Sequence, residues 1–189
     1  RPDMMGLLGD LYLAVGQPAD AISHYEAALA AGWCDTSRLL RATESFVSVG
    51  DSAGAARMLK QLREQDADSE YEPDLLRLEA ELSALQGDVE AAIAGYRELV
   101  VLTPLNGKAM LRLGDLLQQA GNPGAAELSY ERAGRLTGLE AEAMVRRAQL
   151  AVGRKHFNDA VTLLEAAEAL ESKPHVARYL QQVRRLADR

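Results

Sequence analysis

Cysteine is nearly absent: Cys34 stands alone in 189 residues, so no disulfide forms within the chain and no multi-cysteine metal site exists. Aromatic residues make up only 5% and β-branched residues are sparse, while alanine and leucine dominate, which predicts helices rather than strands. No run of about 18 apolar residues occurs, so no helical membrane span is expected, and no signal peptide is visible. Positive charge is scarce in the first half: residues 1–100 carry 8 basic against 18 acidic residues, whereas 101–189 carry 13 against 10. With a net charge of −7 the chain repels phosphate, which argues against nucleic acid as a main partner. The basic excess of the second half reads as arginines scattered over helix faces.

Catalytic chemistry is equally thin. His24, His156 and His175 share no metal-ligand spacing on one helix face and read as solvated side chains. Cys34 follows Trp33 with no histidine and acid in its frame, so a packing role is expected rather than a nucleophilic one. No glycine-rich phosphate loop follows a strand. No enzyme activity, cofactor or metal is expected. The chain opens Arg1-Pro2-Asp3 with no initiator methionine, which predicts a piece of a longer or processed protein and leaves the compartment open between cytoplasm and periplasm.

What the chain does have is a period. Gly16, Gly50, Gly87 and Gly121 close successive apolar-periodic segments at spacings of 34, 37 and 34 residues, and one further step of 34 reaches Lys155. Setting each of these at position 15 gives units beginning at Pro2, Thr36, Pro73, Gly107 and Ala141. Position 8 is then small (Gly9, Thr43, Ala80, Gly114, Ala148), position 20 is always alanine (Ala21, Ala55, Ala92, Ala126, Ala160), and position 24 is large (Tyr25, Leu59, Tyr96, Tyr130, Leu164). Small residues at 8 and 20 let two antiparallel helices approach closely, and the large residue at 24 fills the space beside them. Gly9 and Gly114 thus give up helix propensity for packing, and the position-15 glycines supply the backbone freedom that stops the first helix.

This pattern resembles the tetratricopeptide repeat family, with its L-G-x2-Y in the first helix and A-x3-F in the second. "LGDLY" and "AISHY" mark the first unit, "AIAGY" and Pro104 the third, "LGDLL" and "AELSY" the fourth, and coverage runs over about residues 2–173. The family's first-helix tryptophan is missing, with Met5, Leu39, Leu76, Met110 and Met144 in its place. The resemblance implies an all-α fold, an α-solenoid with right-handed superhelical twist. It would form a single domain over 1–189, with repeats at 2–35, 36–72, 73–106, 107–140 and 141–173. Pro18 and Pro123 sit at first helical positions, and Asn122, Asp51 and Asp88 at caps. Gln65 to Pro73, holding the three extra residues, is expected to be an exposed acidic loop. The segment 174–188 places Val176, Tyr179, Leu180, Val183 and Leu186 on one face, with Arg178, Arg184 and Arg185 off it, as a capping helix.

At 100° per residue, positions 2, 5, 9 and 12 of the first helix lie roughly 130° from the packing set 4, 7, 8 and 11. The resemblance implies that this second set lines a concave groove for peptides. Position 9 reads Asp10, Glu44, Glu81, Asp115 and Gln149; around it lie Leu40, Leu111 and Val145 at position 5, Gln118 at position 12, and Arg77 as a basic interruption. Two readings stand side by side: an acidic column offering counter-charges to a basic or amphipathic segment, or acids that are merely solvated. Lys108 and Arg112 match one element of the carboxylate clamp of chaperone-binding members, but Leu40, Glu44 and Leu78 occupy the other clamp positions, which disfavours an acidic C-terminal tail as ligand. The expected function is a non-enzymatic scaffold for a protein or peptide partner. The alternative is self-association, or a spacer role in a larger solenoid of a bacterial envelope, secretion or exopolysaccharide-export assembly.

Overall fold

The computed structural model describes residues 1–33, 35–64 and 69–188. Their secondary structure is eleven α-helices and a 3-10 turn at Ser69–Tyr71, with no strand among the described residues. The helices fall in pairs on the repeat frame. They are α1 (Pro2–Ala14) with α2 (Pro18–Ala30), α3 (Thr36–Ser48) with α4 (Ser52–Glu64), α5 (Glu72–Leu85) with α6 (Val89–Leu102), α7 (Gly107–Gln119) with α8 (Pro123–Ala133), and α9 (Glu140–Gly153) with α10 (Phe157–Leu170). A final helix, α11, spans Pro174–Ala187. The chain divides into two compact units, Arg1–Gly95 and Tyr96–Arg189.

The small-to-large contact that the frame anticipates is made in the hairpins with tyrosine at position 24 and glycine at position 8. A Cβ on Gly9 would sit 2.7 Å from the Tyr25 ring, and one on Gly114 would meet the Tyr130 ring closer still. Only hydrogen fits at these two places. The five position-20 alanines are all fully buried, as are Tyr25 and Tyr130. Where position 24 is leucine, the socket admits a larger partner: Thr43, in the same hairpin as Leu59, is buried and donates its hydroxyl to the Leu39 carbonyl at 2.7 Å.

The turns follow one recipe. Gly16, Gly50, Gly87 and Gly121 adopt φ between 74° and 83°, and Lys155, the fifth in frame, adopts φ 63° without being glycine. Gln17 N–H then reaches the Tyr12 carbonyl at 2.8 Å, and His156 N–H reaches the Ala151 carbonyl at the same distance, closing the first helix in both cases. Side-chain caps open the next helices: Asp51, Asp88 and Asn122 accept from Gly54, Ala91 and Ala125 N–H at 2.9, 3.0 and 3.2 Å. Asp35 and Asn106 do the same for α3 and α7.

The long connection between the second and third repeats is shorter as a loop than the sequence alone predicts. Residues 69–71 form the 3-10 turn and Glu72 and Pro73 already belong to α5, while residues 65–68, like Cys34, lie outside the described residues. Arg63 of α4 pins this seam, donating to Glu79 at 2.8 Å twice and to Glu72 at 2.6 and 3.2 Å. Hydrogen bonds to Glu79 and then Glu72 hold its guanidinium well above the usual arginine value.

In the first unit the core runs from Tyr25 through Leu39, Phe46, Met58 and Leu62 to Leu75 and Leu78. In the second, α11 lays Val176, Leu180 and Val183 onto Leu164 and Ala167 of α10. Tyr179 is half-buried beside them, and Leu186 is exposed near the end of the helix. Arg178, Arg184 and Arg185 face solvent.

Candidate functional site

The acids at position 9 are where the structure changes the sequence reading most. Asp10 accepts the Tyr25 hydroxyl at 2.6 Å and pairs with Arg38 Nε at 3.3 Å. Arg38 in turn lies over the Trp33 ring, 5.7 Å from its centroid, and Trp33 fills the space above Gly6. Glu44 is bonded by Arg77, which also approaches Glu81 at 3.5 Å and Asp74 at 3.7 Å. Burial alone would lower the Arg77 guanidinium, but Glu81, Glu44 and Asp74 together keep it above its ordinary value. In the second unit Asp115 accepts from the Tyr130 hydroxyl at 2.8 Å and from Arg146 Nε at 2.9 Å, while Arg146 Nη1 reaches Glu142 at 2.7 Å. Gln118 is exposed, its Oε1 3.3 Å from the same tyrosine hydroxyl.

The expected column of free counter-charges is therefore corrected. Asp10, Glu44 and Asp115 are each engaged by an arginine from the first helix of the following repeat. A cationic ligand at these acids would share each carboxylate with a guanidinium that is already paired. Tyr25 and Tyr130 show the local effect of these contacts: burial first, then the hydrogen bond to the carboxylate and its charge, push both phenols far above the usual tyrosine value.

Leu40 and Leu111 also move. They are 8% and 2% exposed, so they belong to the core and offer no apolar groove surface. The buried face of α7 takes in Ala109, Met110, Leu111, Leu113, Leu116 and Leu117, which is wider than the packing set alone. Lys108 and Arg112 stand exposed on α7, and Arg77 and Glu81 are half-buried on α5.

The fifth repeat borders a cleft. A cleft of about 590 Å³ opens in the second unit against α9, whose Glu142, Val145 and Gln149 occupy positions 2, 5 and 9 of the fifth repeat. Asp115 of α7 and Arg146 form one wall. The other wall is Glu171, Lys173, His175 and Val176 at and before the start of α11. Half-buried Ala141 and Val145 give it apolar surface, Ala167 and Val176 are themselves buried, and its charges are paired: Arg146 to Asp115 and Glu142, Lys173 to Glu171 at 2.9 Å. The cleft can therefore take a chain segment that carries both apolar and charged side chains.

The sequence pattern does not single out Arg146, Lys173 or His175 for this site. His175, expected as solvated surface, is indeed exposed, but it stands on the cleft wall; His24 is half-buried and stacks on Tyr12 with centroids 4.9 Å apart. Among the described residues no cluster of three His, Cys, Asp or Glu side chains is arranged to hold a metal. No described helix is long and apolar enough to cross a membrane.

Comparison with known proteins agrees with the repeat fold. Tetratricopeptide repeat models match residues 40–107 and 86–139, and another such model matches residues 5–32. No curated protein matches by sequence. Among solved structures, MamA superposes with a TM-score of 0.71 at 21% identity, over 90% of this chain and 97% of that one. TTC0263, a thermophilic TPR protein of Thermus thermophilus, gives 0.66 at 17% identity, over 97% and 98%. YrrB, described as a TPR protein with an unusual peptide-binding site, gives 0.69 at 15% identity, over 94% and 90%. At these identities the likeness establishes the fold, an all-α solenoid of helical repeats.

Proposed function

This chain belongs to the tetratricopeptide repeat family, and from that premise we propose that it is a non-enzymatic scaffold whose second unit holds a peptide segment of a protein partner in the α9 cleft. The family fold is generally one of protein–protein interaction. The observation that carries the finer reading is the lining of the cleft. In α9, Glu142 and Gln149 at positions 2 and 9 are exposed and Val145 at position 5 is half-buried, and these three side chains line the 590 Å³ cleft. YrrB supplies a precedent for peptide binding on the same fold.

The lining selects the ligand chemistry. Apolar surface from Ala141 and Val145 favours an apolar anchor, while Arg146, Lys173, Glu142 and Glu171 present both signs of charge at the rim. A mixed-charge amphipathic segment fits this better than a purely basic one, because Asp115 and Glu142 are already paired with Arg146, and Glu171 with Lys173. Binding energy should come mainly from the buried anchor, with the rim charges setting register and association rate.

The test is selection of a phage-displayed random peptide library on the wild-type protein, followed by affinity measurement on Gln149→Trp. Gln149 is exposed, so the substitution fills the cleft without touching the core. Selected peptides should lose at least about tenfold in affinity, equivalent to about 1.4 kcal/mol. Equal binding to both proteins would remove the cleft from consideration.

A further inference from the structure

Arg146 stands on the α9 cleft with its guanidinium held in place and only part of it in use. Nε donates to Asp115 of α7 at 2.9 Å and Nη1 to Glu142 of α9 at 2.7 Å, so carboxylates on two different helices fix the plane of the fork. Asp115 is steadied in turn by the Tyr130 hydroxyl at 2.8 Å. Nη2 makes no hydrogen bond among the described residues, which leaves its N–H groups as the open end. A donor whose direction is set before a ligand arrives loses little freedom when it binds.

The charge around that open end decides what can accept from it. Counting histidine as neutral, the carboxylates of the lining outnumber its cations: Asp115 and Glu142 both lie on Arg146, and Glu171 lies on Lys173. A third carboxylate brought to Arg146 would be repelled by the two already there. An amide carbonyl accepts without that repulsion. Every peptide carries such carbonyls, but a helical one has bonded them to its own N–H groups everywhere except its last turn. An extended segment keeps them free for a partner.

Size favours the same ligand. From Glu142 to Gln149 the α9 axis runs about 10 Å, the length of about three extended residues. Two turns of a helix about 10–12 Å across fill roughly 850–1,200 Å³, so a helix could lay only one edge in the 590 Å³ cleft.

Resting on the α9 cleft as the peptide site, we infer that its ligand lies extended along α9 and that a main-chain carbonyl of the ligand accepts from Arg146 Nη2. The partner it fits presents a loop or an unfolded stretch of chain, and a preformed helix is a poor ligand.

Phage-selected peptides that are weakened by Gln149→Trp serve as probes. In each, successive amides are replaced by esters, whose carbonyls are weaker acceptors. One ester position should cost about tenfold or more in affinity on the wild type, as expected for a hydrogen bond to a charged donor. On Arg146→Met, which keeps the aliphatic stem and removes the donor, that same ester should cost less than about threefold. The N–H that an ester also deletes is not coupled to Arg146, so the cycle isolates the carbonyl. Backbone 13C shifts of a labelled peptide bound to the wild type should report an extended chain, a readout that depends on no variant. Peptides that need the cleft yet show no ester coupled to Arg146, or that bind as a helix, would overturn this inference alone. Peptides indifferent to Gln149→Trp would remove the cleft and this inference with it.

Discussion

At the scale of single residues, glycine has two opposite uses here, and substitution separates them. At Gly9 the Tyr25 ring occupies the space a methyl needs, so Gly9→Ala should destabilise by about 1–3 kcal/mol despite its better helix propensity. At Gly124, where nothing lies within 4 Å, the same change should stabilise by roughly 0.5 kcal/mol. Urea denaturation midpoints read both. Lys155 is the mirror case, a side chain held in the left-handed region that the four other turns give to glycine. Lys155→Gly relieves a strain of about 1–2 kcal/mol and adds back some unfolded-state freedom, so a net gain of about 0.5–1 kcal/mol is expected in the same assay.

The phenols supply a pH signature at this scale too. Tyr25 and Tyr130 have folded values raised by burial and by their carboxylate acceptors, above an unfolded value of about 10. Their contribution is complete below that unfolded value and is lost as pH rises beyond it, because the unfolded chain ionises first. Urea midpoints of the wild type should fall between about pH 10 and 12, and a Tyr25→Phe/Tyr130→Phe protein should show a shallower fall. An unchanged slope would mean that the two phenols titrate alike in the folded and unfolded chains.

At the scale of helices and their seams, the frame is legible because its rules are steric. Position 8 has to be small and position 20 is alanine wherever the two helices of a hairpin touch, so these constraints recur about every 34 residues and show through a divergent sequence. The tyrosine-to-acid bond is also in plain view, 15 residues apart in Asp10–Tyr25 and Asp115–Tyr130, and it explains those aspartates better than a ligand does. The arginines are not legible. Asp10 meets Arg38, Glu44 meets Arg77 and Asp115 meets Arg146, so the partner sits at position 3, 5 or 6 of the next unit and has no period. A long flexible side chain reaches the same carboxylate from several starting points. Only the folded chain reveals which.

These seam contacts are partly solvated, which bounds their strength. Arg146 and Asp115 side chains are 25% and 32% exposed, so a double-mutant cycle with Arg146→Met and Asp115→Asn should return a coupling of about 0.5–1 kcal/mol that shrinks in high salt. The cycle also separates the arginine from Tyr130, which shares the same carboxylate oxygen.

At the scale of the whole molecule, contacts are dominated by neighbours in sequence, and stability should be correspondingly local. Hydrogen exchange on Gly9→Ala should show faster amides in α1 and α2, while α9 and α10, with their own core around Ala148, Leu164 and Ala167, keep wild-type protection. Uniform loss of protection along the chain would instead mean one cooperative block.

The lock between glycine and tyrosine closes within a single hairpin, whereas guanidinium contacts run from the first hairpin to the second, the second to the third and the fourth to the fifth, each from a different frame position. Permuting the hairpins would thus leave each one able to close on itself while mismatching the charges at those three junctions. In this chain the shape of the parts is generic, and their order is written in arginine.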